Sequence, residues 1–374
     1  MKLLIASHAS VLAVNRKIFA SLAKVTGWEI TLLVPQFWRG DLIADLHFQP
    51  CDDDLPLTII DLPVVLPGKG SFFYYKSLPK SPSKPDLVLI DEEPWSINAF
   101  QLYREYKGVR KIFYTKQNIK KRLPPPFAQI QNYVFRNSTG AFAVTEEVSQ
   151  VLRQKNYFGP IEILPHSYDP ELFHLPVIPT ASKRIRIGYV GRLDEEKGLR
   201  VLFAAIRVLY AKQSFLESTV DFLIVGNGEL EAWVRAELET LPLDRVEYSA
   251  ALPHDRVGEL LRTLDLLVLP SQTTARWKEQ FGRIIIEAWA SGAAVIGSDS
   301  GEIPNLIRRS GAGLIFHERS SAELAEKIET YAASPDLLKQ HKTLGREYVT
   351  RTLTHDQLAQ DLAAKLKTFF NSAT

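Results

Sequence analysis

Short runs of aliphatic and β-branched residues alternate with segments of helical periodicity along almost the whole chain. In the first half the apolar runs Leu3–Ser7, Ile30–Pro35, Leu87–Asp91, Lys111–Thr115, Ala141–Thr145 and Ile161–Pro165 predict strands. The stretches Asn15–Val25, Ser96–Tyr106 and Glu146–Lys155 between them predict helices. Asp52–Lys84, rich in Pro, Ser and aromatic residues, reads as a long irregular excursion. After Pro165 periodicity disappears and three prolines follow, which predicts an interdomain linker. Alternation then resumes with Ile185–Val190, Phe222–Val225, Val246–Ser249, Leu266–Leu269, Ala294–Gly297 and Gly313–Phe316, each followed by a helical pattern. Two successive βαβ arrays predict an α/β protein of two doubly wound, Rossmann-like domains. The expected boundaries are residues 1–170 and 183–352, a linker over 171–182, and a helical tail over 353–374 that returns to the first domain. Parallel sheets of this kind bind ligands outside the carboxyl ends of their strands. A site in a cleft between the two domains is therefore expected.

Composition narrows the class. At 374 residues the chain can build two cores, and 45% hydrophobic with 24% charged residues is ordinary for a soluble globular protein. Cys51 is the single cysteine, which excludes an intrachain disulfide and a thiolate metal cluster and suits the reducing cytosol. The apolar run at Met1–Ser7 is too short for a signal peptide and reads as a first strand. No run approaches the roughly 20 apolar residues of a membrane helix. A net charge of +2 argues against bulk nucleic-acid binding. The charge is nonetheless uneven, since residues 104–136 hold nine Lys or Arg and one acid, a net +8. That stretch reads as a solvated face or, alternatively, as a peripheral contact with anionic lipid or a phosphorylated acceptor.

The candidate chemistry lies in Lys278-Glu279-Gln280-Phe281-Gly282-Arg283-Ile284-Ile285-Ile286-Glu287, which runs on to Gly292. Phe281-Gly282 marks the start of a helix and Gly292 its C-terminal cap. Glu279 then sits in the loop before the helix and Glu287 more than a turn inside it, at a separation of about 10 Å. The open N–H groups of the first turn fall between the two carboxylates and favour an anion. Such an order suits a ligand that is polyhydroxylated, then phosphorylated, then polyhydroxylated again, as a nucleotide-diphospho-sugar is. Two solvated glutamates on an amphipathic helix remain the plain alternative. A glycosidase dyad wants facing carboxyl groups about 5–9.5 Å apart, and this spacing fits it poorly.

Three elements resemble the retaining GT-B glycosyltransferases of family four (the glycosyl transferases group 1). They are Ile187–Gly198 with Gly191, Arg192 and Lys197, then Ile224–Leu230 with Gly226 and Gly228, then Glu279 with Glu287 eight residues beyond it. The second domain carries these motifs, while the first matches only in outline. The resemblance implies two Rossmann-like domains facing a central cleft and sugar transfer from a nucleotide-diphospho-sugar to a hydroxyl acceptor with retention. The acceptor would be a glycan, a lipid-linked molecule or a small molecule. It implies that Arg192 and Lys197 neutralise the diphosphate, that Glu279 contacts the transferred sugar and that Glu287 holds the ribose. Phe281, Gly282, Arg283 and Ile284 would line the donor with backbone groups, Gly191, Gly226 and Gly228 would shape the turns beneath it, and Tyr248–Leu252 would meet the base. With no obvious protein nucleophile, front-face displacement is preferred, the leaving phosphate itself taking the acceptor proton. No cofactor is expected beyond the donor substrate.

The first domain departs from the family pattern. Where many relatives carry Gly-Gly, the loop reads Ser7-His8-Ala9-Ser10-Val11, and Thr115-Lys116-Gln117-Asn118 replaces an expected histidine. The acceptor-side candidates are His8, Glu93, Gln117 and Asn118, with Asp91-Glu92-Glu93-Pro94-Trp95 ending a strand beside them. Asp52-Asp53-Asp54 and Asp194-Glu195-Glu196 raise a metal reading, which the cations Arg192 and Lys197 make unnecessary. A dinucleotide-binding dehydrogenase would need a third glycine after Gly226-Asn227-Gly228. A catalytically weak nucleotide-sugar-binding scaffold is the non-enzymatic alternative.

Overall fold

The computed structural model describes residues 1–40, 45–79, 84–176, 184–211, 220–241 and 245–371. The chain divides into two compact units, one formed by Met1–Ser167 with the tail from His355, the other by Tyr168–Thr354.

The first unit is built on seven parallel strands: β1 (Lys2–Ser7), β2 (Glu29–Pro35), β3 (Thr58–Leu62), β4 (Leu87–Asp91), β5 (Arg110–Thr115), β6 (Gly140–Ala143) and β7 (Ile161–Ile163). Their spatial order is β7-β6-β5-β4-β1-β2-β3. Leu3, Leu4, Ile5 and Ala6 are buried in succession, and so is all of β4, because helices cover both faces of a parallel sheet. Two of the helices begin where the sequence supplies a side-chain cap. Ser96 Oγ accepts from the Ala99 N–H at 3.0 Å to start α2 (Ile97–Glu105), and Thr145 caps α4 (Glu146–Gln154), which has two glutamates in its first turn. The helix α1 (Ala13–Thr26) opens the unit, and α3 (Phe127–Arg136) lies between α2 and α4.

The excursion expected over Asp52–Lys84 is more ordered than its composition suggests. It supplies the edge strand β3, paired parallel with β2, and a short antiparallel pair, Val64–Val65 with Tyr74–Tyr75. Pro56 and Pro63 frame β3, and an edge strand tolerates that because one side of it needs no ladder. The aspartate run forms a 3-10 turn that anchors α1. Arg16, 1% exposed, sends Nε and Nη2 to the Asp54 carboxylate at 2.7 and 2.9 Å. It also donates to the carbonyls of Ser10 (3.0 Å) and Gln49 (2.7 Å). Lys17 pairs with Asp53 at 3.0 Å. These carboxylates are therefore neutralised by arginine and lysine.

The tail is a long helix, His355–Asn371, whose buried positions Leu358, Leu362, Leu366 and Phe369 form one face. The Phe369 ring lies edge-on to Phe142 and fills the space beside Gly140, where a Cβ would meet it at 2.1 Å. Lys365 donates to the Ile163 carbonyl at 2.6 Å.

The second unit repeats the scheme with six parallel strands: β8 (Ile185–Val190), β9 (Val220–Val225), β10 (Val246–Ser249), β11 (Leu266–Leu269), β12 (Ala294–Ser298) and β13 (Leu314–Phe316). The order is β10-β9-β8-β11-β12-β13. The first part of the expected linker belongs to this unit. Phe173 is buried against the His254 ring, and the Leu172 carbonyl accepts from Arg262 at 3.0 Å. The apolar Phe173 and the bare edge of Gly258 draw the proline-rich segment onto the unit. The remainder of that linker, residues 177–182, lies outside the described residues.

The basic stretch 104–136 is likewise not one surface. Lys111 is buried, its Nζ donating to the Tyr106 and Val109 carbonyls at 2.9 and 2.6 Å, and Lys116 pairs with Asp91 at 2.6 Å. Lys107, Lys120, Lys121, Arg122 and Arg136 are exposed.

Because Arg16 is buried, removing its counter-charge leaves an ion without compensation. Asp54→Asn should lower stability by about 3–5 kcal/mol, read as an earlier urea midpoint in the transition of the first unit.

Candidate active site

In both sheets the strand order reverses at the first strand, between β1 and β4 and between β8 and β11. Connections leave in opposite directions there, so the carboxyl ends form a crevice in each unit. In the second unit the loop after β8 is clamped to the loop after β9. Gly226, at φ +156°, approaches so closely that a Cβ would lie 1.8 Å from the Gly191 carbonyl oxygen. Leu193 donates to the Asn227 carbonyl at 2.9 Å, and its own carbonyl accepts from Leu230 at 2.8 Å. Gly228 backs onto the Leu193 main chain. These glycines serve loop-to-loop packing, and they thereby aim Arg192 and Lys197.

The two cations have different surroundings. Arg192 is 49% exposed and pairs within its own loop, with Asp194 at 2.7 Å and Glu196 at 3.7 Å. Exposed pairs of this kind are worth little, so an incoming anion displaces them readily. Lys197 closes a short 3-10 turn, Glu195–Lys197, and is much less exposed. Its Nζ lies 2.8 Å from Glu279 Oε2 and 4.5 Å from the centre of the Trp277 ring. Ser271 Oγ donates to the same carboxylate oxygen at 3.0 Å. The Glu279 carbonyl accepts from the Glu302 N–H at 3.2 Å, beside Gly301, where a Cβ would not fit. Lys197 and Glu279, 82 residues apart, thus form one ion pair at the carboxyl edge.

Gly282, in the left-handed region at φ +82°, turns the chain into the next helix, Arg283–Ala290. Phe281 is buried beneath it, and Ile284 is half-buried. Glu287 lies in the second turn, 4% exposed, with Oε1 3.4 Å from Arg283 Nε and 3.2 Å from His254 Nε2. The loop glutamate and the helix glutamate therefore hold separate cationic partners. In the segment expected to meet a base, the Ala251 N–H already donates to Asn227 Oδ1 at 2.9 Å, and the Tyr248 hydroxyl to the Gly226 carbonyl at 3.1 Å.

The carboxyl edge of the first unit holds a second charged cluster. Ser7 Oγ donates to Asp91 at 2.8 Å, and Lys116 Nζ lies 2.6 Å from the other oxygen of that carboxylate. The Glu92 carboxylate takes the His8 N–H at 2.9 Å and the His8 Nδ1 at 2.7 Å. Thr115 Oγ1 and the Lys116 N–H donate to Glu93. Burial alone would lower the His8 pKa, but the Glu92 carboxylate outweighs it and holds that pKa above the usual histidine value. Burial would likewise raise Asp91, yet Lys116 and Ser7 keep it below the usual carboxylate range, whereas burial prevails at Glu93 and raises it.

Of the acceptor-side candidates, His8 and Glu93 sit in this cluster. Gln117 instead caps its own loop through the Ile119 N–H at 3.2 Å, and Asn118, buried, reaches Glu147 at 3.4 Å. Their polar groups hold backbone and the start of α4. Sequence reasoning missed Ser271, Trp277, His254 and the bond between Glu92 and His8. Trp277 stands two residues before Glu279 and could have been flagged. The others are brought in from distant segments with no motif to mark them.

The fold and these charged edges define a two-unit α/β protein with charged carboxyl edges, and comparison with known proteins gives its family. A profile described as "Glycosyl transferases group 1" matches residues 174–351. The amylovoran biosynthesis glycosyltransferase AmsK of Erwinia amylovora is 31% identical over 330 residues, covering 77% of each chain. Among solved structures, the sucrose-phosphate synthase of Thermosynechococcus elongatus superposes over 99% of both chains with a TM-score of 0.73 at 16% identity. Anabaena HepE in complex with UDP superposes over 98% of this chain and 100% of its own, with a TM-score of 0.72 at 15% identity. The chain belongs to the glycosyl transferases group 1, and its fold is GT-B.

Proposed function

We propose that this glycosyltransferase moves a hexosyl or related sugar from a nucleotide diphosphate to a hydroxyl of a glycan or lipid-linked acceptor, with retention of configuration. The observation that carries the reading is the Lys197–Glu279 pair at the carboxyl edge, beside the amino end of the Arg283–Ala290 helix. An ammonium and first-turn N–H groups are the donors a diphosphate needs as its negative charge grows. Arg192 adds a second cation once its exposed pairs yield. Glu279, released from Lys197 by the phosphate, faces the sugar ring on which positive charge develops, while Glu287 takes the ribose hydroxyls. These cations make a metal ion unnecessary to the reaction. The UDP held by HepE supports a nucleotide donor, and AmsK's part in amylovoran biosynthesis supports a role in polysaccharide assembly.

The test is a panel of uridine-, guanosine- and adenosine-diphospho-sugars assayed with EDTA present, the product anomer being read by proton NMR. One donor should be turned over in EDTA with its anomeric configuration kept. An inverted product would sink the stereochemical part, loss of turnover restored by magnesium or manganese would sink metal independence, and donor binding without turnover would favour a scaffold.

The two glutamates separate in kinetics. Glu287→Gln should raise the donor KM more than it lowers kcat, because ribose binding is equal in ground and transition states. Glu279→Gln should depress kcat by about 10²-fold while free nucleotide diphosphate still binds nearly as before. Equal losses of kcat in both variants would contradict this orientation of the donor.

Exposed Lys120, Lys121 and Arg122 precede Phe127, whose ring meets half-exposed Phe72 edge-on, and this basic and aromatic segment suits an anionic membrane. Co-sedimentation with vesicles should rise with phosphatidylserine content and fall with salt, and indifference to both would leave a solvated loop.

A further inference from the structure

A cavity of about 1200 Å³ opens within the second unit at the amino ends of β8, β9 and β11. That is the sheet edge opposite Lys197 and Glu279, and the six residues of β8 put about 20 Å between the two edges. Ligand sites commonly enclose roughly 300–1,000 Å³, so there is room for a body of sugar or nucleoside size. One face of the helix Pro335–Thr352 forms much of the wall. Lys342, Arg346 and Thr350 recur at four-residue spacing, as do Thr343, Glu347 and Arg351.

Six basic and four acidic side chains line the cavity, a net of +2. Three pairs are closed within the wall: Lys342 with Asp265 at 2.6 Å, Arg186 with Glu247 at 3.1 Å and Arg245 with Asp221 at 3.6 Å. Arg262, Arg346 and Arg351 have no carboxylate partner among the described residues. Arg262 spends one nitrogen on the Leu172 carbonyl at 3.0 Å and on His174 Nε2 at 3.3 Å. Arg346 spends one on the Ala290 carbonyl, an ordinary cap for a helix end. A guanidinium carries five N–H donors, so both keep donors to spare, and exposed Arg351 keeps all of its own. Ser291 also lines the cavity, 2% exposed, and its hydroxyl makes no hydrogen bond among the described residues. A buried hydroxyl left without a partner marks a place where a polar group is missing.

We propose that this cavity binds a phosphate monoester with a hydroxylated body, a ligand other than the reacting donor. A phosphate monoester carries close to two negative charges at neutral pH, which matches the net charge of the wall. Guanidinium forks take phosphate oxygens in pairs, and the Ser291 hydroxyl adds a neutral donor. The paired carboxylates and the hydroxyls of Thr263 and Thr350 suit the hydroxyl groups of the body, and Phe222 and Leu264 its apolar face. A monocarboxylate would leave one positive charge unmatched. A neutral sugar would find no exposed aromatic ring among the described lining residues to stack on.

The experiment is calorimetric titration of the full chain with glucose 6-phosphate, beside glucose and glucuronate. Glucose 6-phosphate should bind at one site per chain and weaken as salt is added. Arg262→Gln and Arg351→Gln should each weaken it about tenfold or more, and Ser291→Ala should weaken it measurably. Lys197→Ala should leave it unchanged. Arg351 is exposed and without a partner, so an unchanged urea midpoint certifies that its variant is folded. The absence of saturable binding would overturn the proposal, as would affinities within twofold of the parent in both arginine variants. Loss of binding in Lys197→Ala would assign the phosphate to the carboxyl edge instead. Glucose or glucuronate binding as tightly would show that phosphate is not what the cavity recognises.

Discussion

A parallel sheet brings the carboxyl end of every strand to one edge, and a reversal in strand order opens a gap on that edge. Each unit of this protein is organised around that constraint. In the second unit, loops leaving β8 and β11 carry Lys197 and Ser271, and the turn at Gly301 and Glu302 after β12 holds the Glu279 main chain. In the first unit, β1, β4 and β5 deliver His8, the Asp91–Glu93 run, and Thr115 with Lys116 to the same relative position. The same geometry used twice produces two charged edges of different character. One joins a lysine to a glutamate beside a helix start, and the other joins a histidine to a buried acid.

Charge balance explains much of what surrounds these edges. A carboxylate removed from water needs a cation or several donors. Accordingly Asp54 has Arg16, Asp91 has Lys116 with Ser7, and Glu287 has Arg283 with His254. Asp54 belongs to the scaffold and has a counter-ion as buried as itself. At the edges the partner is more open: the side chains of His8, Lys116, Arg283 and His254 are 29–38% exposed, while the acids behind them are nearly closed off. A buried acid behind a reachable basic side chain favours function over simple anchoring, since such a side chain can change partner when a ligand arrives.

Much was legible along the chain because strand and helix periods are local properties. Twelve strand runs appear in the sheets at or near their expected positions, and the Glu279–Glu287 segment has its expected loop and helix division. β3 was hidden, since six residues between Pro56 and Pro63 leave no period to read. The basic stretch misled for a related reason. Net charge counts residues without regard to direction, whereas β5 turns Lys111 inward and Lys116 onto Asp91.

Local spacing was enough for the two βαβ arrays, the glycine-bearing turns and the identity of the group-1 motif residues, because each depends on positions within a few tens of residues. The pairings came from the folded arrangement. Lys197 meets Glu279 across 82 residues, and His8 meets Glu92 across 84. Such contacts follow from which strands lie side by side, and no local pattern encodes a neighbour that distant. Asn118, a plausible ligand group in a linear reading, likewise reaches the start of α4 across 29 residues, whereas Gln117 bonds the Ile119 N–H within its own loop.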